Sequence, residues 1–209
     1  MRKNMQILAL CAATLTLTVG GWFSYQEFFK NGLENLPAKV CDESVKRETV
    51  IRVLPESRSA EDGADTNGTG YGFMFSCHIY TAGDSILSGE AQIQDSSQKT
   101  WEDYYKSYGG KSQGVAEQTS SSGIYALSRG NFASVYVPCV PSGSKAGDAS
   151  EDYSLISEVR VIGESRAEGL DLHQALTDFA YELTRHAYAL GKCENGKNFP
   201  DELPRFKEN

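Results

Sequence analysis

Residues 71–94 read YGFMFSCHIYTAGDSILSGEAQIQ, and the alternation in this stretch decides the fold. Tyr71, Phe73, Phe75, Cys77 and Ile79 point one way along a pleated strand. Gly72, Met74, Ser76, His78 and Tyr80 point the other way. Ala82-Gly83-Asp84-Ser85 is turn chemistry. A second alternating run follows, with Leu87, Gly89, Ala91 and Ile93 on one side and Ser88, Glu90, Gln92 and Gln94 on the other. The pair predicts an antiparallel hairpin with one apolar and one polar face.

Outward from the hairpin, the pattern predicts further strands at 133–139 and 157–162, with Val135, Val137, Cys139, Val159 and Val161 inward. Residues 48–54 form a short helix stopped by Pro55, and the polar, Gly-containing run 56–70 reads as a loop. Residues 110–123 and 141–152 carry little pattern. A short helix begins near Thr100, with Asp103 completing a capping box, and stops at Gly109-Gly110. The longest helix starts at Asp171, with Gln174 as its capping partner. It carries the stripe Leu172, Leu176, Phe179, Leu183, Ala187 and Leu190, and ends at Gly191. The expected class is α+β, an antiparallel sheet covered on one face by helices.

The N-terminus sets the compartment. Residues 4–26 hold no charged side chain, and Arg2 and Lys3 precede them. An apolar run of about 20 residues matches the hydrocarbon core of a bilayer, and basic residues in front of it stay inside. Residues 1–3 are therefore expected in the cytoplasm, with a transmembrane anchor at 4–26 and a juxtamembrane linker at 27–39. An extracytoplasmic domain at 40–195 and an extended tail at 196–209 follow. The rival readings are a cleaved signal peptide, with Val19-Gly20-Gly21 at the cut, and a lipidated Cys11. Leu10 is too large to precede a lipidated cysteine. The expected location is the cell membrane, single-pass with the C-terminal domain outside, or alternatively a secreted protein.

Charge and cysteines fit that division. The chain has 209 residues, 20 basic and 28 acidic, and a formal charge of −8. Residues 1–23 hold two basic residues and no acid, so the remaining 18 basic and 28 acidic residues give −10. That balance excludes a phosphate-backbone binder, so no nucleic-acid partner is expected. A mean hydropathy of −0.42 excludes a multi-span membrane protein. Besides Cys11 there are four cysteines, Cys41, Cys77, Cys139 and Cys193, an even number that fits two disulfides outside the cytoplasm. Three connectivities are open. Pairing Cys139 with Cys193 would tie the last helix to the sheet, and Cys41 with Cys77 would tie the first helix to the first strand.

Catalytic patterns are sparse. His78 lies on the polar strand face, while His173 and His186 are too far apart on one helix to share a metal. Gly109-Gly110-Lys111-Ser112 lacks the upstream glycine of a phosphate loop. The run from Gly63 to Met74 fails a calcium loop at its first and last positions. No catalytic residue, metal or cofactor is expected. Trp101, Tyr104, Tyr105 and Tyr108 do share one face of the short helix. They read either as an aromatic platform for a glycan or partner protein, or as core rings docked on the sheet, with the core reading preferred.

The anchor, LPAKVCDESVKRETVIRVLP, GFMFSCHIYT, ASVYVPCVP and the closing helix through GKC together resemble uncharacterised small membrane-anchored or secreted four-cysteine proteins of actinobacteria. The resemblance covers most of the chain and implies a Gram-positive envelope location. It brings no activity and no catalytic residues. The leading expectation is a membrane-anchored binding, sensing or protein-interaction domain, partnered by the membrane through its N-terminal helix and by an envelope protein or glycan. The alternatives are an extracytoplasmic hydrolase, for which the His78 face is the hint, and a structural part of an envelope assembly.

Overall fold

The computed structural model describes residues 32–107, 114, 116–141, 153–194 and 196–207. The expected anchor, Cys11, Tyr108, the 109–112 glycine run and most of the 141–152 loop lie outside the described residues.

The described chain is α+β. A small hairpin, β1 (Lys39–Val40) and β2 (Val45–Lys46), leads into helix α1 (Arg47–Val53). Then come β3 (Ala60–Asn67), β4 (Met74–Thr81), β5 (Ile86–Asp95), helix α2 (Gln98–Ser107), β6 (Glu117–Ser121), β7 (Ile124–Arg129), β8 (Phe132–Pro138), β9 (Tyr153–Ile162) and helix α3 (Gly169–Leu190). The seven-stranded sheet has the order β3-β4-β5-β9-β8-β7-β6, and every neighbouring pair is antiparallel. Two three-stranded meanders therefore lie either side of β9, which joins them through long registers, Ile86↔Ile162 to Asp95↔Tyr153 and Phe132↔Arg160 to Pro138↔Ser154.

Three segments depart from the sequence reading. Residues 60–67 are an edge strand rather than loop, because their backbone pairs with β4 along its whole length while most of their polar side chains stay in solvent. Residues 117–121 and 124–129 are strands too, the second missed outright. Tyr71 leaves the strand alternation: it sits in a 3₁₀ turn and is 59% exposed.

Helix α3 covers one sheet face. Leu172, Leu176, Phe179, Leu183 and Ala187 are buried against Phe75, Ile79, Leu87, Val135 and Val159, while Leu190, at the end of the stripe, is 42% exposed. Gly89 is where the helix comes closest. A methyl group there would stand 2.9 Å from both Phe179 Cε1 and Leu183 Cδ2. Thr184 bonds Ser157 Oγ at 2.8 Å, which satisfies two buried hydroxyls in this layer. No Asp171–Gln174 capping box forms: the N-cap is Glu168, and Gln174 donates to Asp178 at 2.7 Å and accepts the Phe206 N–H at 3.1 Å.

The covering of the sheet is also corrected. Helix α2 packs on the opposite face, so the sheet carries helices on both sides. Its cap is Ser97, whose Oγ accepts the Thr100 N–H at 3.1 Å; Asp103 instead pairs with Lys99 at 2.5 Å.

The ends of the described chain are pinned. Leu33 and Leu36 are buried in the main core. Cys41, Asp42 and Glu43 form a left-handed turn, φ 52°, 54° and 62°, a conformation that costs about 1–2 kcal/mol per residue. The Cys41–Cys77 disulfide and the Cys41 N–H bond to Asp62 Oδ2, 2.6 Å, hold it. A second disulfide joins Cys139 and Cys193, beyond the ends of β8 and α3. Both pairs are those favoured from the sequence. The described part of the tail forms no helix or strand and is packed: Phe199 sits 5.1 Å from the Tyr188 ring, Tyr181 donates to the Pro200 carbonyl, and Leu203 is buried.

Candidate binding face

Helix α2 shapes the site because it is too short to cover the whole outer face. Trp101 and Tyr105, one turn apart, face the sheet and are buried. The indole N–H of Trp101 donates to Ser134 Oγ at 2.9 Å, and the Tyr105 ring stacks on Phe132 at 5.5 Å. These rings, with Leu127, Tyr136 and Ile156, make a second small core over β7, β8 and β9. The Arg129 guanidinium holds the helix end through the Lys106 carbonyl, 2.7 Å.

Beyond the helix, the β4–β5–β9 part of the face carries polar side chains. Ser88, Glu90, Gln92 and Gln94 form one row along β5, and Glu158 and Arg160 the next along β9. The rows are ordered by their own hydrogen bonds. Gln94 Nε2 donates to Gln92 Oε1 at 3.3 Å, and Gln92 Nε2 donates to Glu90. Tyr105 donates its phenol proton to Glu158 Oε1 at 2.5 Å, and Arg160 lies 3.5 Å from Glu158 Oε2. Two adjoining depressions of about 310 and 280 Å³ run along these rows to the edge of α2. Burial, reinforced by Glu158, holds the Tyr105 phenol far above its ordinary range, so it acts as a fixed donor rather than a titrating group.

The four aromatic residues therefore separate. Trp101 and Tyr105 are core rings, and Tyr104 is 56% exposed at the rim, edge-on to Tyr105 at 4.8 Å. Tyr108 lies outside the described residues. His78 sits on the same open face, half-buried, its ring 6.1 Å from that of Tyr80. His173 and His186 lie on α3, away from it; His186 packs 5.1 Å from Phe75, and burial lowers the pKa of both. Among the described residues, no group of three His, Cys, Asp or Glu side chains is placed to hold a metal ion, and no helix is long and apolar enough to cross a membrane. The alternation of β5 already pointed to its polar row. What it could not show was that α2 stops short of that row. Comparison with protein-family models, curated proteins and solved structures finds no match to the chain.

Proposed function

We propose that this chain is an extracytoplasmic binding or protein-interaction domain, held at the cell membrane by residues 4–26, that engages its partner through the β4–β5–β9 face beside Tyr104. One observation carries the reading. The inner face of the sheet is consumed by packing against α3, whereas the outer face keeps rows of ordered, accessible polar side chains next to an exposed ring. Such a surface is pre-organised for recognition, because its rotamers are already restrained by mutual hydrogen bonds. The two disulfides support an oxidising compartment. The anchor and the resemblance to actinobacterial four-cysteine proteins support the envelope.

Site-specific photo-crosslinking in cells tests it. A photoreactive residue at Ser88 or Gln92 should give a discrete adduct that the same residue at Glu48, on α1, does not. Equal labelling at all three positions overturns the proposal. So does steady turnover of envelope substrates by the purified protein that is lost on His78→Ala.

A further inference from the structure

A second site lies away from the open face, where three separate parts of the chain each bring an arginine to one cleft. Arg52 comes from α1, Arg166 from the connection between β9 and α3, and Arg205 from the tail. They line a cavity of about 680 Å³, within the range of small-molecule sites, roughly 300–1,000 Å³. The lining sets three guanidiniums against one carboxylate, Asp171, in a chain whose formal charge is −8.

The arginines are partly exposed, and each lies near at least one carboxylate. Arg52 Nη1 and Arg205 Nη1 lie 2.8 and 3.6 Å from the same oxygen, Asp178 Oδ2, so one carboxylate oxygen serves two cations. Arg205 also lies 3.8 Å from Glu202, and Arg166 lies 3.5 Å from Glu56. The backbone of Arg166 is fixed by its N–H bond to the Val53 carbonyl, 2.8 Å. Counting those three anchoring carboxylates with Asp171, four carboxylates stand around the three guanidiniums. A guanidinium has five N–H donors, and pairs of this kind engage one or two of them. The others suit the oxygens of a carboxylate or phosphate, which a planar fork binds two at a time. Ile51 and Ala167, packed on the main core, give the same cleft an apolar wall.

We infer that this cleft binds a small organic oxyanion, carboxylate- or phosphate-bearing, clamped between Arg52, Arg166 and Arg205. Because Arg205 belongs to the tail, the bound anion ties the tail to α1 and to the loop before α3. Binding therefore raises the melting temperature.

The test is calorimetric titration and thermal melting of the purified full-length chain in mild detergent, at constant ionic strength set with sodium chloride. The probes are inorganic phosphate, glycerol 3-phosphate and citrate. Saturable one-to-one binding of at least one probe is expected. Loss of one charge-assisted contact should weaken it about tenfold or more. Arg166→Gln and Arg205→Gln should each do so, while Lys46→Gln, outside the cleft, leaves it unchanged. Preference for the phosphates or for citrate identifies the anionic group. No saturable binding of any probe overturns the inference. So does equal weakening by Lys46→Gln, or undiminished binding by a folded Arg166→Gln protein.

Discussion

Gly89 is the point at which the packing of α3 on the sheet can be tested most sharply. In Gly89→Ala the new methyl meets Phe179 Cε1 and Leu183 Cδ2 at 2.9 Å and Val159 Cγ2 at 3.3 Å. Phe179, Leu183 and Val159 are all fully buried, so none can swing into solvent to make room. A core forced to accept an extra carbon loses about 1–3 kcal/mol. Replacing a strand glycine by alanine returns about 0.5–1 kcal/mol through the unfolded chain. The net expectation is a loss centred on about 1 kcal/mol, between extremes of about 0 and 2.5 kcal/mol. Gly83→Ala is the control: no atom lies within 4 Å of the added carbon, and the change should cost nothing or stabilise slightly. Leu183→Ala alone should cost about 2–5 kcal/mol, but the methyl at position 89 fills part of that space. The double variant should therefore be more stable than the sum of the two by about 0.5–3 kcal/mol. Urea unfolding followed by far-ultraviolet circular dichroism, with the disulfides intact, gives all four values. A Gly89→Ala protein as stable as the Gly83→Ala control, or strict additivity in the double variant, would refute the close approach of helix and sheet.

Removing the disulfides in pairs, as Cys41→Ala with Cys77→Ala or Cys139→Ala with Cys193→Ala, opens loops with sequence separations of 36 and 54. Chain entropy puts each loss near 4 kcal/mol, slightly more for the longer loop. A change under about 1 kcal/mol for either pair, read from urea midpoints, would contradict that account. The second expectation concerns acid. Burial lowers the pKa of His173 and His186 in the folded chain, against weaker pulls from Glu117 and from Asp42 and Glu43. The unfolded chain then takes up protons first. Their contribution is complete above about pH 6.5 and is lost as pH falls through that value toward the lowered ones. The melting temperature of His173→Leu/His186→Phe should fall less than that of wild type between pH 7 and 5, and parallel curves would rule this out.

The hairpin of β4 and β5 was legible because each of its side chains lies on either a buried or an open face, and the residues alternate accordingly. The α3 stripe was legible for the same reason at helical spacing. Strand β3 was not, since what makes it a strand is backbone pairing to β4, while Glu61, Gly63, Asp65 and Asn67 face solvent and read as loop. The start of β9, residues 153–156, was lost for the opposite cause: Ser154, Leu155 and Ile156 are buried on both sides and show no alternation. The aromatic stripe of α2 correctly announced a packed helix but not which face of the sheet receives it. The arginine cleft was beyond reach, because Arg52, Arg166 and Arg205 meet only once the tail has folded back along α3.

The two disulfides join cysteines that are neighbours in chain order. If Cys11 stays in the membrane, an oxidant acting on the chain as it emerges N-terminus first would meet each native partner in turn, Cys77 after Cys41 and then Cys193 after Cys139. Correct connectivity then needs oxidation but no reshuffling. The second bridge must wait until α3 has followed the sheet, so an unfinished or truncated chain carries a Cys139 thiol that a completed one does not. That thiol marks incomplete molecules chemically.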